Sequence, residues 1–501
     1  MTSVLKELQW RLQDPRIDYQ TIILGVSLAV AAFEGYVGSR QKPYLLESEH
    51  PTLPTSLEPY LPAETRQETY KKSQAYALAK HQYSTVVGKL ELAQLFLLLS
   101  CVVAPVFAWV LPGTGSPPSS VSAPWFGRGH NDWTLLRGAW DLAAKLPGAK
   151  GEISTSLVFV AILTVVGTLL SLPQSYYKNF VLEEEHGFNK MTRATFFSDA
   201  AKGFILSLVL ELPLLAGVIW IIHWVGTDGV LRIVAWIMAF IFSIQIIMIP
   251  LYPYVIAPLF NKYTPLDENH AVFPKVKALA TRLNFPLGRV WVMDGSKRSS
   301  HSNAYFFGLP YLTKHIVIYD TLLEKSTPEE VEAILAHELG HWAGKHVLVL
   351  LLTSLIQTGF SLLIFSLFLS NPVLLSSFGF TSSTPFSGSN GTGGPTIIAL
   401  FLASALFSPL SAVLQFTTNT VTRALEYQAD RFAHVLGPEY AKNLKGALVG
   451  IHEKNLAVYG VDPVYSAYNN NHPTLIERLD ALDNALETGE KKSSSQAKKV
   501  L

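Results

Sequence analysis

Residues 334–346 read Ile-Leu-Ala-His-Glu-Leu-Gly-His-Trp-Ala-Gly-Lys-His, and residues 347–369 continue as VLVLLLTSLIQTGFSLLIFSLFL without a charged side chain. The first stretch sets His337 and His341 four apart, with Glu338 directly after the first. On a helix that spacing puts both imidazoles on one face, one turn apart. Two imidazoles so placed can bind one zinc ion, and Glu338 can act as general base toward a water on it. The second stretch has the roughly 20 apolar residues that a bilayer-spanning helix needs. Together they predict a metalloprotease helix feeding straight into a membrane span. The plain alternative is a chance match on a histidine-bearing helix. The start of the helix argues against it: Thr327 can cap, Pro328 suits the first position, and Glu330 completes a capping box.

Zinc needs a third protein ligand and an open position for water. The chain has one cysteine, Cys101, so neither an intrachain disulfide nor a cysteine-rich zinc site is available. Downstream, TRALEYQADRFAHVLG (422–437) places Glu426 and Asp430 four apart. Alone, such a pair is usually a solvated helix face. Beside an HExxH that lacks a third ligand, Glu426 can supply it, and Asp430 can accept a hydrogen bond from a ligating histidine and fix its tautomer.

Outward from this site, charged residues make up 15% of the 501-residue chain and hydrophobic residues 49%. Ordinary soluble domains carry about 25% charge, so the deficit predicts a membrane protein. The formal net charge of +1 gives no global field for nucleic acid. Seven stretches qualify as spans: 19–38, 88–111, 154–175, 203–226, 230–256, 346–370 and 396–418. No cleavable signal peptide is expected ahead of the first. The short 178–202 loop carries Lys178, Lys190, Arg193 and Lys202, whereas 371–395 has neither Lys nor Arg. By the positive-inside rule the former side is cytosolic, with a lumenal N-terminus and a cytosolic C-terminus. The sequon at Asn390 falls in the predicted lumenal loop. The expected organisation is an N-terminal membrane region, 1–257, with five spans. A cytosolic protease region follows at 258–345, then spans six and seven with their lumenal loop at 346–418. A second protease region, 419–488, and a flexible tail, 489–501, complete the chain.

EEEHGFNKMT (183–192), SKRSSHSNAYFFG (296–308), AHELGHW (336–342), LEYQAD (425–430) and NNHPTLIERL (470–479) occur in that order. Together they resemble the CAAX prenyl protease 1 family of membrane zinc endoproteases, over about residues 15–485. The resemblance implies a mainly α polytopic fold. Seven transmembrane helices would surround a water-filled chamber, with a cytosolic-side zinc metalloprotease domain carrying a small β-sheet. It implies one zinc per chain held by His337, His341 and Glu426, with Glu338 as base and Asp430 in support. It implies substrate pairing along an edge strand at Asn303 and Ala304. His472 and Arg478 match residues lining the family's catalytic cleft, and both are suitable oxyanion donors. Without the resemblance, a capped surface helix with an arginine salt bridge is the better reading of that pair.

The implied activity is removal of the last three residues from prenylated C-a-a-X proteins, with a second upstream cut left open. Such substrates live at the membrane surface, which explains a metal helix joined to a span. The expected partners are prenylated proteins or peptides and membrane lipid, with no nucleic acid. Two rivals remain: a membrane quality-control metalloprotease indifferent to prenylation, and a non-catalytic scaffold or channel, against which the intact Glu338 argues. Lys498 and Lys499 form a dilysine pattern that points to the endoplasmic reticulum membrane, with the contiguous inner nuclear membrane left open. Five polar residues fall inside predicted spans: Glu34, Glu211, His223, Gln245 and Gln357. Glu211 is the best candidate for a chamber lining.

Overall fold

The computed structural model describes residues 2–46, 57, 63–100, 134–226, 229–308, 313–381, 384–385 and 394–484. Five helices are long and apolar enough to cross a membrane: Tyr19–Leu45, Glu152–Glu185, Arg193–Val225, Val230–Leu259 and His346–Ser366. A sixth span arises if Thr396–Leu406 and Ser408–Leu436, bent by 65° at their junction, count as one. Pro409 lies at that bend, where its ring nitrogen cannot continue the helical ladder. The predicted second span starts within helix Ala63–Leu99, and its remainder to residue 111 lies outside the described residues. Seven spans are therefore not counted here. Asn390 and the tail with Lys498 and Lys499 also lie outside the described residues.

The fourth of these helices does not stop at its prolines. Past Pro250 it loosens into a π-turn, Tyr252–Ile256, and then tightens into a 3₁₀ turn, Ala257–Leu259. The chain then enters a four-stranded sheet of β1 (Tyr263–Pro265), β2 (Leu287–Met293), β3 (Ala304–Phe307) and β4 (Lys314–Tyr319), in the order β1-β2-β4-β3. β2 and β4 are parallel, and the outer pairings are antiparallel. β3 is an edge strand.

Apolar burial concentrates at the two ends of the spans. At the protease end, Val290, Ile316, Ile318, Leu335, Leu339 and Leu444 form one core between the sheet, the histidine helix (Pro328–Ala343) and helix Pro438–Lys454. At the opposite end, Tyr19, Trp140, Phe159, Phe378, Phe380 and Leu402 form another. Between them packing is sparse: none of the five long helices buries more than 22% of its apolar window. Four of the polar residues there meet partners on other elements. Gln357 Nε2 donates to Thr418 Oγ1 at 3.1 Å, and Glu211, exposed, accepts from Thr164 at 3.4 Å. Tyr468 donates to Glu34 at 3.2 Å, and His223 lies 3.0 Å from Glu152. Gln245 Oε1 is buried without a hydrogen-bond partner.

Candidate metal centre

The histidine helix begins as its sequence predicts. Glu330 N–H donates to Thr327 Oγ1 at 3.3 Å, and Thr327 N–H donates to Glu330 Oε2 at 2.8 Å. It crosses the glutamate helix (Ser408–Leu436) at Gly340. A Cβ at Gly340 would lie 3.0 Å from the Ala429 Cα and 3.1 Å from its carbonyl oxygen, so a larger residue would push Ala429 back by a few tenths of an ångström. The close crossing brings Glu426 and Asp430 over the two histidines.

His337 Nε2 and His341 Nε2 stand 3.2 Å apart. Glu426 Oε2 lies 3.4 Å from the first, and its Oε1 lies 3.3 Å from the second. All three ligand atoms fall within 4.8 Å of one another. A tetrahedral zinc with bonds of about 2.0–2.1 Å has ligand–ligand edges of about 3.3 Å, so this donor set fits that ion. Glu426 Oε2 is buried with no hydrogen-bond partner, as an atom reserved for a cation would be.

The tautomers also suit a metal. Asp430 Oδ1 lies 2.8 Å from His337 Nδ1, and a carboxylate only accepts, so Nδ1 carries the proton and Nε2 faces the cluster. Arg478 holds Asp430 in turn, through Nε at 2.8 Å and Nη2 at 2.6 Å. Its Nη2 also lies 3.3 Å from His337 Nδ1, and its Nη1 lies 3.9 Å from Glu426. Burial disfavours a charged His337, but Asp430 and Glu426 outweigh it and push its pKa up to about 9. A metal binding at Nε2 therefore displaces a proton. Burial also raises the Glu338 carboxyl above its usual range.

His472 is more open, its side chain 54% exposed, with Nε2 3.4 Å from Glu426 Oε1. Just ahead of β3, the Asn303 carbonyl accepts from Tyr319 N–H of β4 at 3.1 Å. Antiparallel ladders alternate, so the backbone groups of Ala304 point to the unpaired edge. There Asn303 Oδ1 accepts from Ala304 N–H at 2.8 Å.

One neighbour was missed in the sequence. His346 Nδ1 lies 2.8 Å from His341 Nδ1, so it fixes the ring of the second histidine as Asp430 fixes the first. A residue five positions on is off the face of a continuous helix. Here Lys345 adopts a left-handed conformation (φ 55°, ψ 33°) that turns the chain back. Gly344 makes room, since a Cβ there would lie 2.2 Å from His346 Nε2. The visible signal was the third histidine of HELGHWAGKH, two residues after a glycine.

Two family models cover the chain: CAAX prenyl protease N-terminal, five membrane helices, over residues 44–262, and peptidase family M48 over 267–486. CAAX prenyl protease 1 of Saccharomyces cerevisiae is 38% identical over 487 residues, 95% of this chain and 98% of that one. The chain belongs to the CAAX prenyl protease 1 family. Within that family, the Arabidopsis thaliana CAAX prenyl protease 1 homolog is 36% identical over 93% of this chain and 98% of its own. The crystal structure of S. mikatae Ste24p matches with a TM-score of 0.79 at 36% identity, covering 93% of this chain and 99% of that one. This chain is thus a multi-pass membrane metalloprotease of family M48.

Proposed function

We propose that this protease cleaves the peptide bond after the prenylated cysteine of C-a-a-X proteins and releases the terminal tripeptide. The convergence of His337, His341 and Glu426 directly beside a spanning helix carries this reading. The names of the relatives agree with it. One zinc held by these three residues would supply Lewis acidity to a water and to the scissile carbonyl.

The chain's own groups do the rest. Glu338, raised by burial, takes the proton of the attacking water and returns it to the leaving amine. His472 donates to the oxygen that gains charge. Arg478 holds Asp430, and Asp430 holds the His337 tautomer. Ala304 and Phe306 on the free edge of β3 take the substrate backbone as an added strand, and Asn303 releases Ala304 N–H when it arrives. The 178–202 lysines and arginine favour a cytosolic protease end, and the Lys498-Lys499 pattern favours the endoplasmic reticulum membrane.

The test is a cleavage assay with purified protein on farnesylated and unprenylated versions of one C-a-a-X peptide, with and without chelator. Chelator-sensitive release of the tripeptide from the farnesylated form is expected. Equal turnover of both peptides would instead favour a quality-control protease.

A further inference from the structure

A cavity of about 780 Å³ lies outside the metal centre. It opens where helix Arg193–Val225 begins and where the preceding spans hand over to β1, at the end of the turn Ala257–Leu259. Its volume is within the roughly 300–1,000 Å³ of small-molecule sites. Phe307 of β3 lines it. Side chains alternate along a strand, so this is the face opposite Ala304 and Phe306, which pack into the protease core.

The charges lining it are unbalanced. Asp199 is taken by Arg298, at 2.8 and 3.2 Å. Asp294 accepts the backbone N–H of Lys262 at 2.7 Å. Lys202 donates to the Leu259 carbonyl at 2.9 Å. The ammonium groups of Lys262 and Lys297, both exposed, have no ion pair or hydrogen bond among the described residues. The first turns of Arg193–Val225, with Thr195 and Ser198 on the cavity wall, add the positive end of a helix dipole.

The other wall is apolar and faces outward. Tyr254 is 61% exposed and Leu259 47%. They sit on the last turns of a spanning helix, at the level where aromatic residues mark the membrane–water interface. A basic rim joined to an apolar wall at this depth suits an amphiphile with an anionic head. A zwitterionic head would bring its own cation against Lys262 and Lys297.

We propose that this cavity binds an anionic phospholipid, its phosphodiester between Lys262 and Lys297 and its acyl chains along Tyr254 and Leu259. The assignment concerns a lipid bound beside the enzyme's substrate path and does not depend on what the substrate is.

The test uses the full-length protein, delipidated in detergent and titrated with phosphatidylserine, phosphatidylcholine or inorganic phosphate under native mass spectrometry. Phosphatidylserine should bind at least about tenfold more tightly than phosphatidylcholine, since a lysine near the surface contributes about fivefold to anionic-lipid affinity. The double variant Lys262→Glu/Lys297→Glu should lose that preference, while the charge-matched Lys277→Glu/Lys442→Glu, at exposed positions outside the cavity, keeps it. Lys262→Gln/Lys297→Gln, with a milder loss expected, serves if charge reversal prevents folding. An undiminished preference in both double variants would overturn the proposal. So would displacement of the lipid by inorganic phosphate at equal affinity, which would mark a soluble-anion site. Displacement by a farnesylated peptide, with a raised KM in the lysine variants, would make the cavity part of the substrate path and overturn it too.

Discussion

Glu338 and Glu426 are both glutamates within reach of two histidines, yet they meet a metal differently. Glu426 aims both carboxylate oxygens at imidazole nitrogens, while Glu338 lies one residue past His337 on the same helix. Glu338→Gln is therefore expected to retain about one zinc per chain and to lose proteolysis, as read by metal analysis beside the peptide assay. Glu426→Ala removes one of three protein ligands and should lose both zinc and activity. A Glu426→Ala protein that holds zinc as tightly as the parent would sink the assignment. His346→Ala frees the His341 ring, and the loss of such a support typically costs about 10- to 100-fold in metal affinity or activity. That variant should need more zinc for half-activity yet reach much of the parental rate when saturated. The cluster of His337, His341 and Glu426 was legible because one-turn spacing is written directly into HELGH and EYQAD. His346 was not, because its placement depends on a backbone reversal at Lys345 that helical periodicity does not encode.

Among the elements, the contact of the histidine and glutamate helices rests on a missing side chain. Gly340→Ala forces the Ala429 backbone to move by a few tenths of an ångström. Overpacking of this kind costs about 1–3 kcal/mol, and it pulls Glu426 away from the imidazoles. Lower thermal stability together with weaker zinc retention is the expected result, and a normal zinc affinity would separate the crossing from the site. Helix Pro438–Lys454 carries a pH-dependent element of stability. Burial of His452 pushes its pKa down to about 4, from about 6.5 in the unfolded chain. Between those values the unfolded state binds more protons, so stability is full above pH 6.5 and falls as the solution is acidified toward pH 4. From pH 7 to pH 5 the loss is about 2 kcal/mol, and His452→Asn should flatten that part of the thermal-midpoint profile. The capping box that starts the histidine helix was legible, since it depends on residues three apart. The 65° bend near Pro409 and the π-turn beyond Pro250 were not, because a proline announces a disturbance without giving its angle.

At the scale of the whole molecule, the first span reaches across the sequence to hold the last helices. Arg40 donates to both oxygens of Asp462, at 3.0 and 2.9 Å, and Gln41 Nε2 donates to the Gly460 carbonyl at 3.1 Å. Asp462 also caps helix Pro463–Asn469 through the N–H groups of Val464 and Tyr465. Asp462→Ala removes a cap that contributes about 1 kcal/mol and releases this tie. Faster limited proteolysis near residues 460–470 is expected, with the spans still inserted. Hydrophobic runs made the membrane architecture legible, but no local pattern pairs residues more than 400 positions apart. The same long view applies to the junction at Gly344-Lys345-His346, where a ring in contact with a candidate zinc ligand is also the first residue of a membrane span. A span adapts to a thinner or thicker bilayer by tilting, and tilt here would act on His341 through His346. Bilayer mechanics would then tune the chemistry, so turnover should vary with lipid chain length in the parent and become insensitive to it in His346→Ala.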